Sequence, residues 1–269
     1  MIRAITLAAL VVSILVPADL VTAEERGIRR VDFRNYTYRP TCVRHKVRVS
    51  DGEHVTDRAG RRLWFAVTTI IYGDLTADGV EEAVVVTQCS TGGSGTFSEA
   101  TIYGLRNNRP VEIATIRGGD RSYGGIHEAG IADGLVAVTR NRSSTCAICT
   151  DYLEVSKFRV ARGRLVEVFP RRIEKEASRE RIVLDAVTSD RIEYSLHAAA
   201  GQMMAVRLLT VSADAAFEVL GPSGDQLGDP QEGQWARQLE ETGDYRIVVR
   251  ALKKSARYEV EVRLSPAER

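Results

Sequence analysis

The sharpest candidate for site chemistry is Asp74-Leu75-Thr76-Ala77-Asp78-Gly79-Val80-Glu81-Glu82. Calcium takes oxygen ligands at alternating positions, with glycine at the sharp turn. Asp74, Thr76, Asp78 and Glu82 have that spacing, so calcium is the metal to weigh at this segment. Two departures count against it: Thr76 stands where Asp or Asn is usual, and Val85 sits where a closing Glu belongs. The same residues suit an acidic turn between buried strands, with Asp74 capping backbone amides. Turn chemistry is the simpler account.

Cys146-Ala147-Ile148-Cys149 has the spacing of a redox pair or half a zinc site. Zinc needs two further ligands, yet no second such motif exists and His45, His54, His127 and His197 are scattered. A redox pair belongs at a helix start within a βαβ unit. Ser143-Ser144-Thr145 would cap such a helix, but no βαβ pattern surrounds it. Four cysteines in an exported chain favour two disulfides. Three pairings are open; Cys42–Cys89 with Cys146–Cys149 is preferred, the first tying the N-terminal strand to a central one.

Two Gly-rich runs, Ser90 to Thr96 and Arg117 to Gly125, lack the Lys-Ser/Thr of a phosphate loop and the dinucleotide spacing. Hairpin glycine is the plainer account. Arg117, Asp120, Arg121, Tyr123 and His127 are close in sequence, and would form a polar binding surface if they share a face with Glu99. There is no nucleophile elbow and no HExxH, so no catalytic residue is assigned and an enzyme is the less favoured reading.

The elements that position these residues read as strands. Residues 31–39 alternate, with 43–49 as a continuation, and residues 50–62 read as polar turn material. Leu63 to Tyr72 is β-branched and aromatic; Glu81 to Gln88 is apolar enough to be buried on both faces. Glu99 to Leu105, Val111 to Ile116, Leu135 to Arg140, Tyr152 to Val160 and Arg164 to Phe169 follow, with turns at Asn107-Asn108 and Arg162-Gly163. Charged residues 170–181 read as a linker. Beyond it six strand-like runs occur: Arg191 to His197, Met203 to Thr210, Ala216 to Leu220, Gln234 to Leu239, Tyr245 to Ala251 and Arg257 to Leu264. The expected fold is mainly β, with a β-rich domain over 24–169 and a β-sandwich over 182–269.

At the start, Arg3, the apolar run Ala4 to Val16 and the small-residue site Val21-Thr22-Ala23 form the pattern of a signal peptide over residues 1–23. The run is shorter than the about 20 residues a spanning helix needs. The first cysteine is Cys42, too far on for a lipid anchor at the processed N-terminus. The chain is expected in the periplasm or secreted, without stable membrane insertion after cleavage. A net charge of +1 provides no field for nucleic acid. With 44% hydrophobic and 27% charged residues, a soluble chain with a real core is expected.

Tyr194-Ser195-Leu196-His197-Ala198, Phe217-Glu218-Val219 before Gly221-Pro222-Ser223-Gly224, and Thr242-Gly243-Asp244-Tyr245 before Tyr258-Glu259-Val260-Glu261-Val262 give residues 178–265 a second character. This stretch resembles the bacterial pre-peptidase C-terminal type of β-sandwich, to which periplasmic inhibitors of goose-type lysozyme are similar. Residues 60–165 resemble exported bacterial proteins of unknown function, including LppP/LprE-type mycobacterial lipoproteins, through Tyr72 to Val85 and Cys89 followed by Gly92-Gly93; the lipid-attachment cysteine of those proteins is missing here.

These resemblances imply a non-enzymatic envelope protein that docks a protein or glycan, with a lysozyme as one partner. The loop Gly221 to Trp235 would enter the partner's cleft, with Trp235 as its anchor. Two alternatives stand beside it: an accessory or catalytic part of a secreted hydrolase, and a structural envelope protein. No cofactor is expected; calcium at Asp74, Thr76, Asp78 and Glu82 is the one candidate weighed, and the acidic turn is preferred to it.

Overall fold

Short runs of Val, Ile and aromatic residues that alternate with polar ones bury their apolar side chains most readily in sheets. The structure, a computed structural model, describes residues 27–58, 61–143, 149–175, 180–188, 190–209 and 214–265. It is mainly β, as expected. The first two strands, β1 (Thr37–Tyr38) and β2 (Val47–Arg48), form a small antiparallel ribbon. A five-stranded antiparallel meander follows, with β3 (Glu53–Arg58), β4 (Arg61–Gly73), β5 (Glu82–Ser90), β6 (Phe97–Arg106) and β7 (Arg109–Asp120) in sequence order.

Strand β5 is buried on both faces, and the two faces serve different cores. Ala83, Val85 and Cys89 pack with Phe33, Tyr38, Val47 and Phe65 under the ribbon. Val84 and Val86 pack with Ile102, Ile116, Val136 and Val138 on the other side. Burial of both alternating sets is what an unbroken apolar run requires.

The second face is covered by part of a seven-stranded sheet. Its strands are β8 (Glu128–Ala132), β9 (Leu135–Arg142), β10 (Tyr152–Ala161), β11 (Arg164–Lys175), β13 (Arg191–Ala198), β15 (Ala215–Leu220) and β17 (Gly243–Ala251), in the order β15-β17-β13-β11-β10-β9-β8. The remaining strands, β12 (Arg181–Thr188), β14 (Met203–Leu209), β16 (Gln234–Gln238) and β18 (Ala256–Ser265), form a four-stranded sheet ordered β12-β18-β14-β16. Its apolar face meets β13, β15 and β17 in a third core built on Tyr194, Leu196, Val206, Val219, Ile247, Tyr258 and Val260.

Residues 170–175 are therefore not linker. They continue β11, and Arg171, Arg172 and Ile173 pair in parallel with Tyr194, Ser195 and Leu196 of β13. The expected boundary runs through a continuous sheet. Its charged composition misleads because Ile173 is buried and Arg171 has acidic partners indoors. Residues 31–39 also differ from expectation. Asp32 accepts hydrogen bonds from the amides of Arg34 and Asn35 and so caps a 3-10 turn, Phe33–Asn35, leaving only Thr37–Tyr38 extended. Residues 50–62 contain β3, and the second Gly-rich run is largely the end of β7. Residues 1–23, expected to be a signal peptide, lie outside the described residues.

Candidate functional site

The sandwich presents a built groove at one end. The loop after β15 begins with a tight turn: the Gly224 amide donates to the Gly221 carbonyl, and the Gly221 amide to the Asp225 carbonyl, both at 2.9 Å. Further on, the Leu227 amide donates to the Val219 carbonyl at 2.9 Å. The loop's carbonyl at Leu227 accepts the indole N–H of Trp235 at 2.9 Å. The neighbouring loop before β17 is fixed by the Tyr245 hydroxyl, which donates to the Glu241 carbonyl at 2.6 Å. Glycine is required where the loops meet, because a Cβ on Gly243 would lie 2.7 Å from Pro222.

Between these loops lies a groove of about 190 Å³. Pro222, Leu227 and Leu239 supply its apolar wall, while Asp225, Arg237, Glu240 and Glu241 stand around it. Small-molecule pockets run from roughly 300 Å³ upward, so this groove suits one side chain of a partner better than a free metabolite.

Trp235 is not the anchor expected of it. It is 7% exposed and belongs to the core. An indole buried in apolar surroundings needs a partner for its N–H, and the loop carbonyl satisfies that need. The residue therefore holds the loop in place rather than entering a partner.

The turn after β4 uses its oxygens internally. Asp74 accepts from the amides of Asp78 at 3.3 Å and Gly79 at 2.9 Å, and Asp78 accepts from Val80 at 2.9 Å. The bond from Gly79 is the foremost reason that Asp74 is held below the usual carboxylate range. Glu82 is buried and accepts from the Leu75 amide at 2.8 Å and the Thr76 hydroxyl at 3.3 Å; burial raises its pKa. Among the described residues no three His, Cys, Asp or Glu side chains gather around one metal position. The geometry is that of the self-capped acidic turn.

Of the polar residues near the second Gly-rich run, Arg117 lies on β7 of the meander and His127 at the start of β8 on the seven-stranded sheet. Ile116 faces the seven-stranded sheet, so Arg117, next along β7, points away from it. There Arg117 stands opposite Glu99. Asp120 caps the 3-10 turn Arg121–Tyr123 through the Ser122 amide at 2.8 Å. His127 leads into β8 on the other sheet, where its amide donates to Thr139 at 2.8 Å. The glycines serve close packing: a Cβ on Gly118 would lie 2.3 Å from the Ser98 hydroxyl, and one on Gly124 would lie 2.1 Å from the Asn141 carbonyl.

Cys42 and Cys89 form a disulfide with a Cα separation of 6.4 Å. Cys149 is also disulfide-bonded, whereas Cys146 lies outside the described residues.

A buried ionic network escapes the sequence reading. Glu154, 2% exposed, meets Arg142 at 3.1 Å and Arg171 at 3.7 Å, and Arg171 meets Glu167 at 2.7 Å. Arg140 donates to the Ser156 hydroxyl at 3.3 Å. Burial opposes the charge on Arg171, but the Glu167 hydrogen bond and the Glu154 charge outweigh it and raise its pKa. Arg171 also lies over the Tyr194 ring at 5.9 Å. The network joins β9, β10 and β11 to the sandwich core. Its only sequence signal is charge at positions where alternation calls for apolar residues.

No protein-family model matches the chain, and no curated protein matches it. Solved structures are similar to part of it. PliG of Aeromonas hydrophila, a periplasmic inhibitor of g-type lysozyme, is 24% identical, with 35% of this chain and 94% of that one covered, at a TM-score of 0.33. A mutant PliG of Escherichia coli and PliG of Salmonella Typhimurium are each 19% identical, with 35% of this chain and 96% of theirs covered, at a TM-score of 0.29.

Proposed function

We propose that the chain is an exported, non-enzymatic binding protein that docks a protein partner at the loop end of its C-terminal sandwich, with g-type lysozyme as the partner to test first. The observation that carries this reading is the groove between the loop after β15 and the loop before β17. Its walls are fixed by backbone hydrogen bonds and the Trp235 indole, so little ordering entropy remains to oppose association. Asp225, Glu240 and Glu241 against the single Arg237 favour a partner that offers a basic side chain. The Cys42–Cys89 disulfide suits an oxidising compartment, in keeping with the signal-peptide pattern.

The test is inhibition of goose-, chicken- and invertebrate-type lysozymes by the purified exported chain, residues 24–269. Stoichiometric inhibition of one type is expected, weakened about tenfold or more by Glu240→Lys with Glu241→Lys. No inhibition at micromolar protein, or inhibition indifferent to that charge reversal, would overturn the reading.

A further inference from the structure

The ribbon of β1 and β2 carries a strong local charge. Arg39, Arg44, Lys46 and Arg48 lie within and beside β1 and β2, and no acidic residue interrupts residues 39–50. The loop between the strands is pinned to the sheet beneath at two adjacent points. Cys42 is bonded to Cys89 of β5. Thr41 donates its amide to Glu99 at 3.0 Å and its hydroxyl to the same carboxylate. A basic segment held this firmly keeps its charges in place instead of spreading them in solvent.

Beneath it runs a groove of about 340 Å³, with Arg39, Lys46 and Arg48 on one side, Tyr36 and Tyr103 among its lining, and Glu112 of β7 across from them. Some surface arginines take acidic partners, as in Arg29–Glu81, Arg181–Glu261 and Arg250–Glu218. The groove's cations do not: among the described residues none of Arg39, Lys46 and Arg48 is within ion-pair distance of a carboxylate, and the three stand around one cavity. Tyr103 is only 5% exposed, yet it lines the groove, and among the described residues its hydroxyl has no hydrogen-bond partner in the chain. The ring is packed away, but the hydroxyl itself opens into the groove, where it can donate to a ligand. Burial raises the pKa of both Tyr36 and Tyr103, so both hydroxyls remain protonated donors at neutral pH.

We infer that this groove binds an acidic saccharide, one that carries carboxylates and free hydroxyls on the same rings. The three cations take the carboxylates. The tyrosines offer an apolar face and a donor. Glu112, whose Oε1 takes the Thr115 hydroxyl at 2.8 Å, accepts from sugar hydroxyls with its second oxygen, and its charge repels a ligand that carries only anionic groups. The volume lies in the range of small-ligand pockets. The inference is independent of the sandwich and its partner.

Isothermal titration calorimetry of residues 24–269 with a short oligogalacturonate tests it, with a maltooligosaccharide of equal length and an oligothymidylate as comparisons. Saturable binding of the oligogalacturonate alone is expected. Arg39→Gln with Arg48→Gln, both exposed positions, should weaken it about tenfold or more, and Tyr103→Phe severalfold, with the melting temperature as a check on folding. The inference is overturned by absent binding, by equal binding of the oligothymidylate, which would mark simple polyanion exchange, or by undiminished affinity in folded variants.

Discussion

The hydroxyl of Tyr194 lies 2.9 Å from that of Tyr258, and the pair connects the seven-stranded sheet to the four-stranded one inside the sandwich core. Burial pushes Tyr194 up to about 12 and raises Tyr258 as well, so both stay neutral and share one proton-mediated contact. Tyr258→Phe leaves the buried Tyr194 hydroxyl without its partner. A loss of about 1 to 2 kcal/mol is expected, read as a lower urea midpoint at unchanged slope.

Removing one member of the ionic network should cost more. Arg171→Met leaves Glu154 and Glu167 short of a partner in a poorly solvated place, and about 3 kcal/mol is expected from such a break. The combination with Glu154→Gln should cost less than the two single changes added together, because the residues act as one unit. Urea denaturation of the four proteins checks both statements.

Glu99 predicts a pH dependence. Burial raises its carboxyl above the ordinary value of 4.5, so the folded chain holds this proton more tightly than the unfolded chain. The stability this provides is full below pH 4.5 and is lost as pH rises through the folded value. Glu99→Gln mimics the protonated form and retains an acceptor for Thr41. The variant should melt above the parent at neutral pH, and the gap should close as pH falls below about 4.5. A gap constant from pH 4 to 7 would show that Glu99 titrates as it does in the open chain.

Calcium should leave the protein's melting temperature where it is. A cation held only by the folded state must raise apparent stability, but the carboxylates of Asp74, Asp78 and Glu82 already accept backbone amides. Equal melts in calcium and in chelator are expected; a rise of several degrees in calcium would show that the turn reopens to take it.

The central strands were legible because apolar alternation is a local signal: β4, β5, β10 and the strands from β13 onward follow it. Strand β3 was hidden because a polar edge strand such as Glu53–Arg58 has one neighbour and little to bury. Short β8 at the opposite sheet's edge was hidden likewise. The Cys42–Cys89 pairing was legible as one of three arithmetical choices. The ionic network was not, since Glu154 finds Arg142 and Arg171 on two different strands and sequence distance says nothing of that meeting. Trp235 misled for a related reason: an aromatic in a long loop reads as bait until the carbonyl that takes its N–H is known.

The parallel pairing of β11 with β13 has a consequence for heredity as well as for handling. A module that ends in open loops can be copied into new proteins whole, but this sandwich borrows a strand from the preceding half of the chain. Cut near residue 178, it would bare the edge of β13, and a bare edge recruits whatever strand is nearest, including that of another copy. Its two halves are therefore bound to travel, mutate and fail together.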